Sequence, residues 1–525
     1  MKRLTALLLL LCLTAALLSG CSSSGTQNKK TQQITRHLPT VTDAMYDPDY
    51  WIAKVKAPDD TLLSASDITL INAQIVGDEA NGVVELAAYP SALNAVELRR
   101  CLNAVSLPTA RLYDIDGTEF EETFFDELIL STNAEGVGES NKVSYAIALN
   151  NATLRTYPVA AAAYEDPAVP EVDVFQAGQL LVGDPVILLH TSLDQNWYFI
   201  QTKTQRGWVR ASDLIFMEKG AWVSYIENEK FLIVTAVSIT LEENPYAPAL
   251  SGLTLYMGTK LPLYDDDTVT SALYNRSTAG CYVVKYPTID RFGYLEYQPL
   301  LIPMTADVHI GYLPYTQRNT ITQAFKLTGG RMTVNRNAHG RDGAAFAQDL
   351  YAVFGLTLPA SCDAQAKIIS NSTDMTKYTT AEREKHLASL KPGALLYSGD
   401  AVFMYLGIDS KKPYVIGAVD EYFYENLRSI TNEIVVTGLD IVRKDGTKFI
   451  DGLEISLMPG VVKKTEQKET EKGTTTAKFT TTTKGSTTAS GRDGTTVKNT
   501  TTAKNGTTAS GTALTGTTTA ATTKK

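Results

Sequence analysis

The sequence has few of the side chains that most often carry catalysis or hold metal ions. Its 525 residues include five histidines and five cysteines, and no two histidines have the spacing of zinc ligands. The glycine-rich loops that bind phosphates and dinucleotides are also missing from the sequence. These absences argue against a metal site, a nucleotide-binding enzyme and any cofactor.

The cysteines do not suggest a framework of disulfide bonds. Cys12 and Cys21 lie near the start, which leaves Cys101, Cys281 and Cys362 far apart along the chain. An odd number at wide spacing fits neither a disulfide scaffold nor a metal site. At most one bridge can form, and none is required.

Long hydrophobic runs are missing except at the start of the chain. Three residues, Met1, Lys2 and Arg3, precede an apolar run over residues 4–18. The run is shorter than the roughly 20 residues that cross a bilayer, and a short run after basic residues is typical of a secretion signal. We predict a signal peptide over residues 1–20.

The end of this segment carries a further feature. Small residues lead from Leu18 to Cys21, a pattern that resembles bacterial lipoprotein signals; an ordinary signal with an incidental cysteine is the alternative. Cleavage before Cys21 would leave its thiol for lipidation, and two or more acyl chains anchor a protein stably. We predict an extracytoplasmic protein, lipid-anchored to the bacterial cell membrane through Cys21.

Charge is divided unevenly between the body and the end of the chain. Residues 463–525 contain 11 Lys and Arg against 4 Asp and Glu, a net charge of +7, which leaves −16 for the remainder of a chain whose formal total is −9. An acidic body argues against nucleic acid as its partner.

Two segments are too polar to bury a core. Residues 461–525 consist mainly of Thr, Ala, Gly and Lys, and residues 21–40 are rich in Ser, Thr, Gln and Lys. Such compositions predict a disordered tail and a flexible tether. The tail is either an O-glycosylated or wall-associated stalk or a plain solubilising tail.

The most informative stretch of the sequence predicts one buried helix. Phe346, Leu350, Val353 and Phe354 recur at helical spacing, and Asp342 is a good N-cap, so the helix begins at Gly343. A helix N-terminus stabilises a thiolate and lowers the pKa of a cysteine placed there. In this chain that position holds glycine.

The segment from Gly329 to Pro359 around this helix resembles the NlpC family of bacterial cell-wall endopeptidases, papain-like enzymes that cut the stem peptides of peptidoglycan. The family has Asp-Cys-Ser at the helix start, where this chain has Asp342-Gly343-Ala344. The resemblance therefore implies that the nucleophile is missing.

The other two catalytic positions of the family are also changed. The family's histidine opens a strand of the form His-Val-Met-Leu-Tyr-Leu-Gly, which matches Ala401 to Gly407, so Ala401 replaces the general base. The residue that orients the base follows Tyr-Val-Ile, and here Gly417 follows Ile416. The resemblance implies that all three positions lack a proton-transfer group.

Two flanking elements of the family differ as well. Its Tyr-Gly-Trp-Gly-Gly matches residues 332–336, and its Arg-Asp/Asn-Ser matches Ala360-Ser361-Cys362. A relocated nucleophile at Cys362 is the alternative to a non-catalytic protein, although a small buried or rim residue is the ordinary interpretation. We name Asp342, Ser361 and Cys362 as candidates to line a ligand cleft.

The chain before this domain predicts three further modules. Residues 41–145 resemble the helical N-terminal stabilising segment of NlpC-type enzymes. Residues 146–217 consist of short β-rich runs separated by turns and strongly resemble a bacterial SH3 domain, and residues 225–315 repeat this pattern less clearly. In relatives the first barrel walls off the substrate cleft.

The first barrel supplies the remaining candidates for ligand contact. They are Asp194 and Asn196 in a polar turn, and Tyr198 on the strand that follows. Such aromatic side chains are more often part of a barrel core than of a binding site.

The predicted fold class is α+β and multidomain: a helical cap, two SH3-like barrels, a degenerate papain-like NlpC-type domain over residues 316–460 and a disordered tail. We predict a catalytically inactive cell-wall lipoprotein that binds peptidoglycan peptides or scaffolds or regulates wall hydrolases. The alternative is an active cysteine endopeptidase that cleaves the γ-D-glutamyl-diamino acid bond with a relocated nucleophile. No particular protein partner is indicated.

Overall fold

The computed structural model describes residues 37–170, 172–333, 340–368, 370–399, 401–424 and 427–461. The predicted signal peptide, Cys21, most of the tether and almost the entire tail lie outside these residues. Within the described ranges, no helix is both long enough and apolar enough to cross a membrane.

The N-terminal segment is organised around one capped helix. Ser64 and Asp67 form a reciprocal capping box that starts it, and Ile68, Ile71 and Ile75 bury one of its faces. The segment is helical as predicted, with short strands in addition. Its elements are α1 (Pro48–Ile52), β1 (Thr61–Leu63), α2 (Ala65–Gly77), β2 (Ala92–Asn94), α3 (Ala95–Leu102), α4 (Glu122–Ser131) and β3 (Ser140–Lys142).

The next module is a seven-stranded antiparallel barrel sheet. Trp208 is 1% exposed and packs beside Phe199 in its core, so this aromatic side chain is structural. The strands are β4 (Ser144–Ala148), β5 (Ala152–Arg155), β6 (Gln176–Leu180), β7 (Pro185–Thr191), β8 (Trp197–Gln201), β9 (Arg206–Arg210) and β10 (Leu214–Met217), in the spatial order β10-β4-β7-β8-β9-β5-β6. Helix α5 (Lys219–Ile226) follows.

The second barrel-like module has its own apolar core, which includes Leu232, Leu255 and Ile302. It is built on a small three-stranded sheet and one long hairpin. Its strands are β11 (Phe231–Val234), β12 (Ser238–Thr240), β13 (Thr254–Tyr256), β14 (Lys260–Pro262), β15 (Ala272–Leu273), β16 (Arg276–Ser277), β17 (Cys281–Ile289), β18 (Leu295–Pro303) and β19 (Val308–Ile310).

The C-terminal domain packs a central helix against a large sheet. Its helices are α6 (Gln317–Lys326), α7 (Gly343–Ala352), α8 (Cys362–Gln365) and α9 (Thr380–Ser389). Its strands are β20 (Tyr315–Thr316), β21 (Arg331–Met332), β22 (Gly340–Arg341), β23 (Thr373–Asp374), β24 (Leu395–Ser398), β25 (Ala401–Asp409), β26 (Lys412–Tyr424), β27 (Leu427–Gly438) and β28 (Ile455–Leu457). The eight-stranded sheet has the order β22-β21-β27-β26-β25-β24-β28-β23, antiparallel except for the parallel pair β21–β22.

Short 3-10 turns complete the fold. They lie at Asp43–Tyr46, Glu79–Asn81, Leu86–Ala88, Ala134–Gly136, Ala211–Asp213, Pro248–Leu250, Asp266–Thr268 and Phe449–Gly452.

Asn72 is one of several cap side chains that bond to the C-terminal domain, beside Tyr50 and Lys54, which both contact Asp409. Asn72 on α2 donates to the carbonyl of Gly355 at 2.7 Å and accepts from the amide of Thr357 at 3.0 Å. The cap therefore binds the Gly355 carbonyl and the Thr357 amide in the loop that follows α7. Its strand β1 also pairs with β20.

We expect Asn72→Ala to lower the free energy of unfolding by about 1–3 kcal/mol, because the Gly355 carbonyl and the Thr357 amide lose their partner. Urea denaturation followed by tryptophan fluorescence measures this change. Thr69→Ala on the same helix is the matched control, since the Thr69 hydroxyl bonds within its own helix. Equal stability of the two variants would contradict the fastening role of Asn72.

Candidate functional site

The start of α7 is built by a local interaction that the sequence already indicates. The Asp342 carboxylate accepts a hydrogen bond from the Ala345 amide at 2.7 Å and caps the helix, which begins at Gly343. Phe346 and Leu350 are fully buried. The helix packs against β25 and β26, so its first turn is held at a fixed place on the sheet.

The space in front of Gly343 is filled by the sheet. A Cβ atom at Gly343 would lie 3.0 Å from the backbone nitrogen of Val402 and 3.2 Å from its Cγ1 atom. Backbone atoms of a central strand cannot move aside as the end of a flexible side chain can. The helix and strand approach closely because residue 343 has no side chain.

Gly417, on the neighbouring strand β26, also lies close to Val402 and Phe403. A Cβ atom there would lie 2.8 Å from Cδ1 of Phe403 and 3.0 Å from the carbonyl oxygen of Val402. Ala401, which is half-buried, opens β25 immediately before these residues. The structure therefore brings Gly343, Ala401 and Gly417 together around Val402 and Phe403, and none of the three carries a group that can transfer a proton.

Cys362 is a buried residue at the start of a short helix. Ser361 caps α8 by accepting from the Ala364 amide, and Cys362 is the first residue of this four-residue helix. The Cys362 thiol is 6% exposed and is not part of a disulfide. Ser361 is exposed, so of the two it is the side chain available to solvent.

A polar residue that the sequence analysis did not single out supports the first turn of α7. Gln365 is fully buried, and its amide donates to the carbonyls of Ala344 and Pro359 at 3.0 and 2.9 Å. The Tyr397 hydroxyl donates to its carbonyl oxygen at 3.4 Å. This network joins α8, the helix start and the sheet behind them.

The described histidines have partners other than thiols. His37 contacts Asp43, and His386 contacts the buried Ser456 hydroxyl at 2.8 Å. His190 and His309 bond to the backbone carbonyls of Asn133 and Gly311. Burial lowers the pKa of both His190 and His386. Each of these four imidazoles is therefore accounted for by a local structural contact.

The polar turn of the first barrel is closed on itself. The Asp194 carboxylate accepts hydrogen bonds from the Ser192 hydroxyl at 2.6 Å and from the backbone and side chain of Asn196. Burial raises and these hydrogen bonds lower the pKa of Asp194, with a net downward shift. Tyr198 is half-buried and packs edge-on against Phe216.

Two cavities adjoin the C-terminal domain, and neither is lined by Asp194, Asn196 or Tyr198. The larger, of about 940 Å³, is called the junction chamber below; Asp342 lies in its wall, opposite barrel residues 177–180 and 202–205. Proximity of the Asp194 turn to the ligand cleft stays a prediction. The barrel residues that line the chamber together with α7 are instead 177–180, which precede that turn in the sequence, and 202–205, which follow it.

The smaller cavity, of about 650 Å³, lies between the first barrel and the segment that contains Arg331 and Thr333. Arg155 in its wall is paired with Asp173, and Arg210 lies over the Trp197 ring at 5.4 Å. Residues 334–336 of the changed recognition element lie outside the described residues. Among the residues described, no group of three or more His, Cys, Asp or Glu could hold a metal ion.

Comparisons with known proteins agree with this architecture. The SH3 domain of the SH3b1 type matches residues 166–210, within the first barrel. The fold is similar to that of an NlpC/P60 endopeptidase from Photobacterium damselae subsp. piscicida, with a TM-score of 0.62 and 15% identity, over 78% of this chain and 97% of that one. The chain has the NlpC/P60 fold with SH3-like domains.

A second solved structure, an NlpC/P60 family protein from Bacillus cereus ATCC 10987, is 16% identical with a TM-score of 0.42, over 60% of this chain and 99% of that one. No curated protein matches the chain significantly. The predicted fold class is confirmed by the similarity to the Photobacterium structure and by the SH3 match.

We expect Gly343→Ala to lower the free energy of unfolding by about 1–3 kcal/mol, because the added methyl group meets the Val402 backbone. Urea denaturation measures the change. The matched control is Gly220→Ala at the start of α5, where an added Cβ meets no atom within 4 Å. If Gly343→Ala is no less stable than this control, the close approach does not exist.

Proposed function

We propose that this protein is a non-catalytic NlpC-type protein that acts outside the cytoplasm at the cell wall and binds wall peptides without cleaving them. The observation that carries the proposal is the approach of Val402 to Gly343, within 3.0 Å of where a Cβ atom would lie. The position that presents a nucleophile in the resembled family has no reactive atom, and a side chain there would crowd Val402.

The chemistry of peptide-bond cleavage supports the same conclusion. A thiol-dependent hydrolase needs a thiolate, a base within hydrogen-bond reach and a group that orients the base. Gly343, Ala401 and Gly417 converge but offer none of these. Loss of all three together, on a fold whose apolar frame is intact, is what a binding or scaffolding descendant of an enzyme would show.

The competing proposal, catalysis by Cys362, has less support. A nucleophile must reach the substrate carbonyl, and the Cys362 thiol is 6% exposed and lies among core residues. Its place at the start of α8 gives it little help from a helix dipole, because one turn aligns few peptide groups. We therefore regard Cys362 as a packing residue.

Wall association rests on the SH3-like modules and on the predicted lipid on Cys21. The anchor would hold the body outside the membrane, and the tether would let it reach wall polymers. In this proposal the protein either holds stem peptides itself or places an active wall hydrolase near them.

The purified mature protein should release no new amino group from an L-Ala-γ-D-Glu-diamino acid tripeptide, because no described group at the site can attack the peptide. Mass spectrometry of the products, with an active NlpC/P60 enzyme as the positive control, checks this outcome. The same protein should sediment with insoluble peptidoglycan.

Turnover that disappears in Cys362→Ala would contradict the proposal and restore the enzymatic alternative. Cys101→Ala is the matched control, since Cys101 is also a buried thiol but belongs to the core of the cap and first barrel. Protein that stays in the supernatant would refute wall binding while leaving the absence of catalysis intact.

A further inference from the structure

The junction chamber is enclosed by all four folded parts of the protein. Its walls come from α2 of the cap, from the β6 strand and residues 202–205 of the first barrel, from the start of β14 in the second module, and from the outer face of α7. Its volume of about 940 Å³ is within the range of sites that hold small organic ligands. The site therefore exists only when the modules are assembled.

Part of the chamber wall is apolar. The buried side chains of Ile68, Leu180, Ile233 and Leu358 contribute to it, one from each of the four parts. Such a surface can hold the uncharged body of a ligand. β6 is an edge strand of the barrel sheet, and the edge of a sheet presents main-chain donors and acceptors.

Two lysines project into the chamber from different modules. Lys203 lies on the turn between β8 and β9, and Lys260 begins β14. The Lys260 ammonium is 4.1 Å from the centre of the Phe231 ring and 5.7 Å from that of Tyr312. Among the described residues, no hydrogen bond or salt bridge is found for either ammonium, although the charge of Glu85 acts on Lys203.

The positive charge of Lys203 acts on Lys260. Burial, and then the charge of Lys203, lower the pKa of Lys260 to about 8. Burial lowers the pKa of Lys203, and the charge of Glu85 opposes this shift in part. At pH 7 most Lys260 side chains remain protonated, so an anion between the two would remove a repulsion and gain two charged donors.

The carboxylates that line the chamber are engaged elsewhere. Asp184 accepts from the Leu181 amide at 2.7 Å, Asp342 caps α7, and Asp349 is paired with Arg341. Glu85 is exposed and accepts from the Ala87 amide. The titratable groups in the wall besides Lys260 are Glu85, Asp184, Lys203, Tyr225, Tyr312, Tyr315, Asp342 and Asp349.

From this geometry we infer that the junction chamber binds a small anionic organic ligand. Its carboxylate or phosphate lies between Lys203 and Lys260, and its uncharged body lies against the apolar wall. The inference goes beyond the proposed function, because it requires neither Gly343 nor any particular wall polymer, and it gives the first barrel and the second module a common role.

Isothermal titration calorimetry on the mature protein at pH 7 and low ionic strength tests the inference with two probes, the dipeptide L-Ala-γ-D-Glu and glycerol 3-phosphate. We expect at least one probe to bind. Lys203→Met and Lys260→Met should each weaken that binding at least tenfold, because each removes a charge but keeps most of the apolar stem. Lys219→Met, an exposed lysine outside the chamber, is the charge-matched control.

Binding of the dipeptide alone identifies a carboxylate ligand, and binding of glycerol 3-phosphate alone identifies a phosphate ligand. Either result supports the chamber as an anion site. No binding of either probe, or equal affinity in the wild type and both chamber variants, overturns the inference. Melting temperatures of the variants show that they are folded.

A second measurement does not depend on the variants. The carbon-13 resonance of the lysine Cε atoms should show Lys260 titrating near pH 8 in the free protein and at higher pH with saturating probe. An unchanged titration would contradict anion binding at Lys260. If both lysine variants still sediment with peptidoglycan while no anion binds in the chamber, only the chamber inference is refuted. The proposed function is then unaffected.

Discussion

The contact between the first turn of α7 and the Val402 backbone sets how closely the central helix packs on the sheet of the C-terminal domain. It requires glycine at residue 343, and the same strand requires glycine at residue 417 from its other neighbour. Two glycines on separate elements thus let a helix and two strands approach more closely than side chains would allow. In the function proposed above, this region is packed core rather than a catalytic groove.

On the proposal of a non-catalytic protein, this close packing explains how the fold could be kept without a peptidase site. An active thiol hydrolase must leave space for a substrate carbonyl near its nucleophile and must accept polar groups there that are poorly paired. Here Phe403 and Val402 are almost fully buried and Gln365 satisfies the carbonyls around the helix start. In the proposed non-catalytic protein, packed side chains fill the space that an enzyme would keep open for its substrate, and their burial stabilises the fold. Binding functions are then expected elsewhere, and the walls between modules supply a cavity of about 940 Å³.

Local features of the fold could be predicted from the sequence because local residues produce them. The start of α7 follows from the Asp342 cap and the spacing of Phe346 and Leu350, and the structure confirms it. The α8 start at Cys362 was missed, although Ser361 is a good N-cap, because a single helical turn has no apolar period to detect. The outer part of the β26–β27 hairpin is largely exposed and lacks the buried pattern by which a strand can be predicted from sequence.

The parts of the site that depend on tertiary structure could not be read from the sequence. Lys203 and Lys260 are 57 positions apart in different modules, and each alone is an ordinary lysine in a β-rich segment. Asp194 and Asn196 attracted attention as a polar turn, yet their hydrogen bonds close on each other. Likewise, the sequence shows that residue 343 is glycine and has no nucleophilic group. It does not show that Val402 lies against this position, which depends on the tertiary structure.

The most direct test of the filled site is the reactivity of a thiol placed there. In Gly343→Cys, the rate of alkylation by iodoacetamide at pH 7 can be followed for that peptide by mass spectrometry, in native protein and in urea-unfolded protein. We predict slower alkylation in the native protein, because the Val402 backbone would shield the introduced thiol from iodoacetamide. Faster alkylation in the native protein, as expected of an accessible thiolate at a helix N-terminus, would contradict it.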